Sequence, residues 1–188
     1  MIAAMVLAVG AGGYLVFGNG RASTASVAAD DAANNPGATP NPAEVAKNVA
    51  FAQKMAQLGP HTQASYPPIP TQEFPPPRPV EVVNAAFQFA AEHPEVASYI
   101  PCFCGCQQGG HKGNHDCFVR SRAANGDVIE WEEHGVECAV CIDVATRSRQ
   151  LMASGASVQE IRSAIEKEFV PTAQTMTPTP KPPAAHSH

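Results

Sequence analysis

The chain runs to 188 residues with a formal net charge of −5, only 12 Lys plus Arg, 18 prolines and a single Trp. A length of this order holds about one domain, and so much proline leaves room for only a small one. Nucleic acid is excluded as a partner, because it demands a clustered basic footprint and no basic run occurs anywhere.

The chain begins "MIAAMVLAVGAGGYLVFG". Residues 1–18 carry no charge, approach the roughly 17 residues a spanning helix needs and exceed the usual apolar length of a secretory signal. A signal peptide or transmembrane anchor is expected there. Arg21 follows the run, which on the positive-inside rule would keep the remainder cytoplasmic. Residues 19–41 are too poor in large apolar side chains to fold and read as a disordered linker.

A helix is predicted over "PAEVAKNVAFAQKMAQLG", opened by Asn41-Pro42, stopped by Gly59-Pro60, and turning Val45, Val49, Met55 and Leu58 inward. The proline-dense stretch His61–Pro79 must be extended or irregular and reads as a strap, with His61 an ordinary surface residue. A second helix follows in "VEVVNAAFQFAAEH", with Val82, Val83, Ala86, Phe87 and Ala90 on one side. It ends at His93-Pro94, and His93 too reads as a surface residue.

In "YIPCFCGCQQGGHKGNHDCF", Pro101 and four glycines forbid a long regular element. Two short extended candidates flank Asn125-Gly126, the signal of a hairpin turn. From Gly135 the pattern is helical, with Val140, Val144, Ala145, Leu151 and Met152 inward and Gly155 as the stop. Ser157 and Glu160 form a capping box that opens a last helix with Val158, Ile161, Ile165 and Phe169 inward. Residues 171–188 read as a disordered Pro/His tail in which nothing positions His186 or His188. The fold class expected is mainly α: a small cysteine-rich helical domain over 80–170 with a cysteine/glycine loop and one short β-hairpin, preceded by a helix and strap over 42–79.

All six cysteines fall between Cys102 and Cys141. Three bridges are arithmetically open, since an exported domain with six cysteines is often stapled. Yet the Cys102-x-Cys104-x-Cys106 run closes loops too short for unstrained bonds, so each sulfur would need Cys117, Cys138 or Cys141 as its partner. A thiolate metal site suits the distribution better. Cys102, Cys104 and Cys106 wrap toward one point, and Cys117 with the Cys138/Cys141 pair adds sulfur from separate segments. Cys138 and Cys141 lie on one helical face, and at a helix start the free N–H groups favour thiolate. Soft thiolates select Cu(I), Zn or an iron–sulfur cluster over harder ions, and six exceed the four of a closed zinc site. His111, His115 and His134 are near enough to contribute nitrogen. Redox catalysis by Cys138-x-x-Cys141 is the third option, although the thioredoxin arrangement needs a βαβ context that the preceding sequence lacks.

"PCFCGC" at Pro101–Cys106, "GHKGNHDCFV" and "WEEHGVECAVCIDVA" together resemble the bacterial proteins named for a Pro-Cys-Tyr-Cys-Gly-Cys motif, with Phe103 in place of Tyr. The resemblance fades after Phe169. It implies an exported protein, often a lipoprotein, of poorly defined function. Cys102, Cys104, Cys106, Cys117, Cys138, Cys141, His111 and His134 match the family's positions, whereas His115 does not and drops to a secondary candidate. No cysteine precedes Cys102 to carry a lipid, so the apolar segment stands in as the anchor and outweighs Arg21. The function expected is that of a membrane-anchored or exported, extracytoplasmic metal-binding protein. Its eight ligands would take Cu(I) first and Zn second, and its partners would be the metal ion, a metal-donor or acceptor protein and the membrane. A disulfide-stapled interaction domain is the alternative reading, a thiol–disulfide oxidoreductase the third.

Overall fold

The computed structural model describes residues 41–183. The anchor expected over 1–18, nearly all of the linker, His186 and His188 lie outside them. No helix among the described residues is long and apolar enough to cross a membrane.

The domain is mainly helical, with one two-stranded antiparallel sheet. Helix α1 spans Pro42–Leu58. The Asn41 side chain accepts from Ala43 N at 2.9 Å, which satisfies one of the free N–H groups of the first turn. Its buried face is Asn48, Ala52 and Met55. Val45, expected inward, is exposed. The face is rotated because it includes a polar residue, and Asn48 Nδ2 donates to Pro178 O at 3.0 Å.

The strap crosses the domain as a docked segment. Gln63 pairs with both backbone groups of Val128, Trp131 Nε1 donates to Pro67 O at 2.8 Å, and Tyr66 stacks on the Trp131 ring. Arg78 forks onto both carboxylate oxygens of Asp143. His61 is partly buried 2.8 Å from Asp127 and His93 lies 3.1 Å from Glu95. Neither is the free surface residue expected, because each packs where a carboxylate faces it.

Helix α2 (Val80–Glu92) buries Val83, Ala86, Phe87, Phe89, Ala90 and Ala91, and Pro94–Ala97 adds the short α3. Strands β1 (Val119–Arg122) and β2 (Val128–Trp131) form the expected hairpin, with an irregular register. Arg122 reaches from β1 to the carbonyls of Ala90 and Ala91, both at 2.9 Å, and so closes the C-terminal end of α2. Burial lowers its guanidinium pKa to about 10.

One continuous helix from Gly135 is not what forms. A four-residue helix α4 (His134–Glu137) stops at Cys138, whose extended backbone (φ −94°, ψ 100°) restarts the chain as α5 (Ala139–Ala153). Helix α6 (Val158–Phe169) opens with the capping box and buries Ile161 and Ile165. Helix α5 packs on α2 and α6, burying Cys141, Ile142, Val144, Ala145 and Ser148.

Residues 171–183, expected as disordered tail, run back across the cysteine loop. Thr177 and Cys102 exchange hydrogen bonds: Thr177 N donates to Cys102 O at 2.9 Å and Cys102 N to Thr177 Oγ1 at 2.8 Å. Arg162, buried on α6, donates to the carbonyls of Tyr99, Thr179 and Pro180. A solvated tail has no use for a buried guanidinium, whereas this one pins the chain end to the domain.

Candidate metal centre

Three segments bring the sulfurs together. In the first, Pro101–Gly110, residues two apart share a face of extended chain, so Cys102 and Cys104 lie side by side with sulfurs 3.3 Å apart. Gly105 then takes φ +86°, a left-handed conformation that side chains disfavour. It turns the backbone into the 3₁₀ turn Cys106–Gly109. In the second, the 3₁₀ turn Asn114–Cys117 delivers Cys117. In the third, Cys138 caps α5, its Sγ accepting from Cys141 N at 3.5 Å. Cys141 follows one turn into the helix. The helix start thus holds its sulfur pair as expected, but at a break rather than inside a continuous helix.

None of the six cysteines is disulfide-linked. Cys102 and Cys141 Sγ are 3.1 Å apart, Cys117 and Cys141 3.2 Å, Cys104 and Cys141 3.5 Å, and Cys106 and Cys117 3.7 Å. These separations lie well beyond the roughly 2.05 Å of a disulfide. They approach the roughly 3.8 Å edge of a tetrahedron of thiolates about 2.3 Å from a shared ion.

The two histidines sit together at one side of the sulfurs, their rings edge to face with centroids 5.7 Å apart. His134 Nε2 lies 3.4 Å from Cys104 Sγ, and Cys104, His134, Cys138 and Cys141 offer ligand atoms all within 4.8 Å of one another. Cys106, His111 and Cys117 form a second such group. His111 Nε2 faces Glu132 Oε2 at 4.0 Å, and its buried Nδ1 has no hydrogen-bond partner. All eight candidate ligands therefore converge, and the cluster could hold a metal.

His115 belongs elsewhere. It is buried, its Nε2 accepts from Arg122 Nε at 3.3 Å, and its Nδ1 donates to Asp116 at 3.0 Å. Burial drives its pKa down, so it serves as a neutral internal link.

The electrostatics favour a mixture of thiolates and thiols. Cys102 is lowered to about 5, chiefly by its hydrogen bond with Cys104, and Cys106 to about 3, chiefly by Cys102. Cys138 is pulled far down by Cys104 and Cys141. Burial pushes Cys117 up, and the surrounding sulfurs push Cys141 up. Hydrogen bonding with Cys104, then with Cys138, raises His134 to about 11. These directions set the His134 imidazolium among thiolates at Cys102, Cys106 and Cys138 and thiols at Cys117 and Cys141.

Supporting residues escaped the sequence. Asn114, fully buried, donates from Nδ2 to Cys141 O at 3.1 Å and from its backbone to Ile100 O at 2.8 Å, tying the loop to α5. A Cβ on Gly135 would stand 2.5 Å from Cys117 O and 2.6 Å from Phe118 Cδ1, so only glycine lets α4 close on the second segment. No local pattern announces either. Thr177 and Thr179 did carry a signal, because threonines at 175, 177 and 179 alternate as an extended segment with one buried side does. A cleft of about 660 Å³ reaches the cluster at Cys106, His111 and His134, and Lys54, Lys112 and Arg120 line its walls. A second recess of about 570 Å³ opens at Cys104.

The sequence profile of a family described as proteins of unknown function with the PCYCGC motif matches residues 52–182. The match extends beyond Phe169 and back into α1, taking in the strap and the returning chain end. No curated protein and no solved structure matches.

Proposed function

The chain belongs to the PCYCGC-motif family, and from that premise we propose that it binds a soft metal ion through its thiolate cluster and carries, transfers or sequesters it outside the cytoplasm. The observation that carries this reading is the convergence of six unlinked sulfurs and two imidazoles from three segments distant in sequence. Burying so many ionisable groups together is costly unless a counter-charge binds, and a cation supplies it. Softness of the donors places Cu(I) first and Zn second. The activity proposed is binding, not catalysis. The Cys138-x-x-Cys141 pair caps a helix that follows a two-stranded hairpin, not the βαβ unit of thioredoxin-like enzymes. Extracytoplasmic placement rests on the apolar segment 1–18.

Elemental analysis of full chain purified without oxygen tests the reading, beside Cys104→Ser and Cys138→Ser and with thiols counted after chelation. Copper or zinc bound to the parent, lost in both variants, with all six thiols free, is expected. Metal content unchanged in both variants, or no free thiols, defeats it.

A further inference from the structure

The eight donors outnumber what one ion can use, since closed sites of this kind take four. Distance divides them into a tetrad, a triad and Cys102, which bridges the two. Cys104, His134, Cys138 and Cys141 form a mutually close tetrad. Of the other four, Cys106, His111 and Cys117 form a close triad, and Cys102 lies within the same reach of Cys106 and Cys104 in one grouping and of Cys117 and Cys141 in another; assigning it to the triad gives each half four donors. Each half is three sulfurs and one imidazole. The halves meet where Cys141 lies 3.1 Å from Cys102 and 3.2 Å from Cys117. They meet again at the histidines, whose rings pack edge to face with centroids 5.7 Å apart, although no close grouping of ligand atoms contains both.

The halves also differ in access. Cys102 and Cys117 are wholly buried and Cys106 nearly so. In the other half Cys141 is equally buried but Cys104, Cys138 and His134 are only partly so, and Cys104 alone of the sulfurs lines the second recess; the larger cleft reaches the first half only at Cys106 and the partly buried His111. The buried half carries its own sign of an absent partner. His111 Nδ1 is hidden from water without a hydrogen bond, a cost that a bound cation would remove.

Resting on the metal-binding reading, we propose that the cluster is two adjacent Cys₃His centres, each for one closed-shell soft cation, Cu(I) or Zn(II). The inner centre of Cys102, Cys106, Cys117 and His111 keeps its ion. The outer centre of Cys104, Cys138, Cys141 and His134 exchanges its ion with a donor or acceptor. Glu132, facing His111, orients that imidazole as carboxylates commonly do for metal-bound histidine.

The test is anaerobic titration of the reduced full chain with Zn(II), and separately with Cu(I), each followed by a challenge with excess chelator. Two equivalents are expected, released in two phases of one equivalent each. X-ray absorption of the zinc-loaded chain should report three sulfurs and one nitrogen per ion, a readout that needs no variant. His134→Ala should lose the fast equivalent and keep the slow one, and His111→Ala the reverse. A single equivalent, more than two, an all-sulfur environment, or loss of both equivalents in either folded variant overturns the two-centre proposal while leaving metal binding intact. No bound equivalent of either metal defeats metal binding itself. If two equivalents load with Cu(I) only, the cargo is copper, and if with Zn(II) only, it is zinc; either supports the two centres.

Discussion

Replacing Thr177 by Val tests whether the chain end is part of the cysteine domain. Thr177 is fully buried, and its hydroxyl accepts from Cys102 N at 2.8 Å while sharing a hydrogen bond with Thr179 Oγ1 at 2.8 Å. Valine keeps the branched shape and removes only the oxygen. Thr179 retains the carbonyl of Lys112 as its acceptor, so the loss centres on the Cys102 N–H, which is left buried and unpaired. Such a group costs roughly 1–3 kcal/mol. Taking about 2 kcal/mol, and a urea dependence of about 2 kcal/mol/M for a domain of this size, the unfolding midpoint of the reduced full chain should fall by about 1 M. If the chain end detaches without global unfolding, the same free energy appears as a roughly 30-fold rise in the open population. Reaction of the cysteine-loop thiols with an aromatic disulfide reagent would report it. A midpoint and a thiol reactivity both equal to the parent's would refute the docked chain end and restore the disordered tail.

Gly135→Ala places a methyl against Cys117 O, Phe118 and Phe87. Overpacking costs about 1–3 kcal/mol against a helix gain of up to about 1 kcal/mol, so the melting temperature should drop; an unchanged or higher value contradicts the close approach. Arg162→Met strands three carbonyls now paired with the guanidinium and should cost about 3 kcal/mol or more, with hydrogen exchange at the Thr177 and Thr179 amides accelerated. Arg162→Lys should recover little of it, because an ammonium lacks the planar fork. Metal loading should release protons. Cys117, Cys141 and His134 all have raised pKa values, so they hold protons at neutral pH that an ion must displace. Apparent affinity should therefore rise with pH, and titration with Zn(II) in weak buffer containing an indicator should acidify the solution. Uptake without acidification contradicts that charge state.

The sequence by itself determined the helices at 80–92 and 158–169, the hairpin at Asn125-Gly126, the capping box at Ser157 and the roster of eight candidate ligands. Each of these rests on local spacing or on residue chemistry, and both are visible without a fold. Tertiary structure decided the rest. The inward face of α1 turned on Asn48, whose amide is buried only because Pro178 meets it. The break at Cys138 comes just after α4 closes on Cys117 through Gly135, a contact between distant segments that local spacing does not show. The chain end became part of the domain through a pairing of Cys102 and Thr177 across 75 positions, a separation at which periodicity carries no information. The proposed division of the candidate ligands into two centres is likewise a matter of distances among three segments. Composition can count sulfurs, but only packing sets which of them lie near one another.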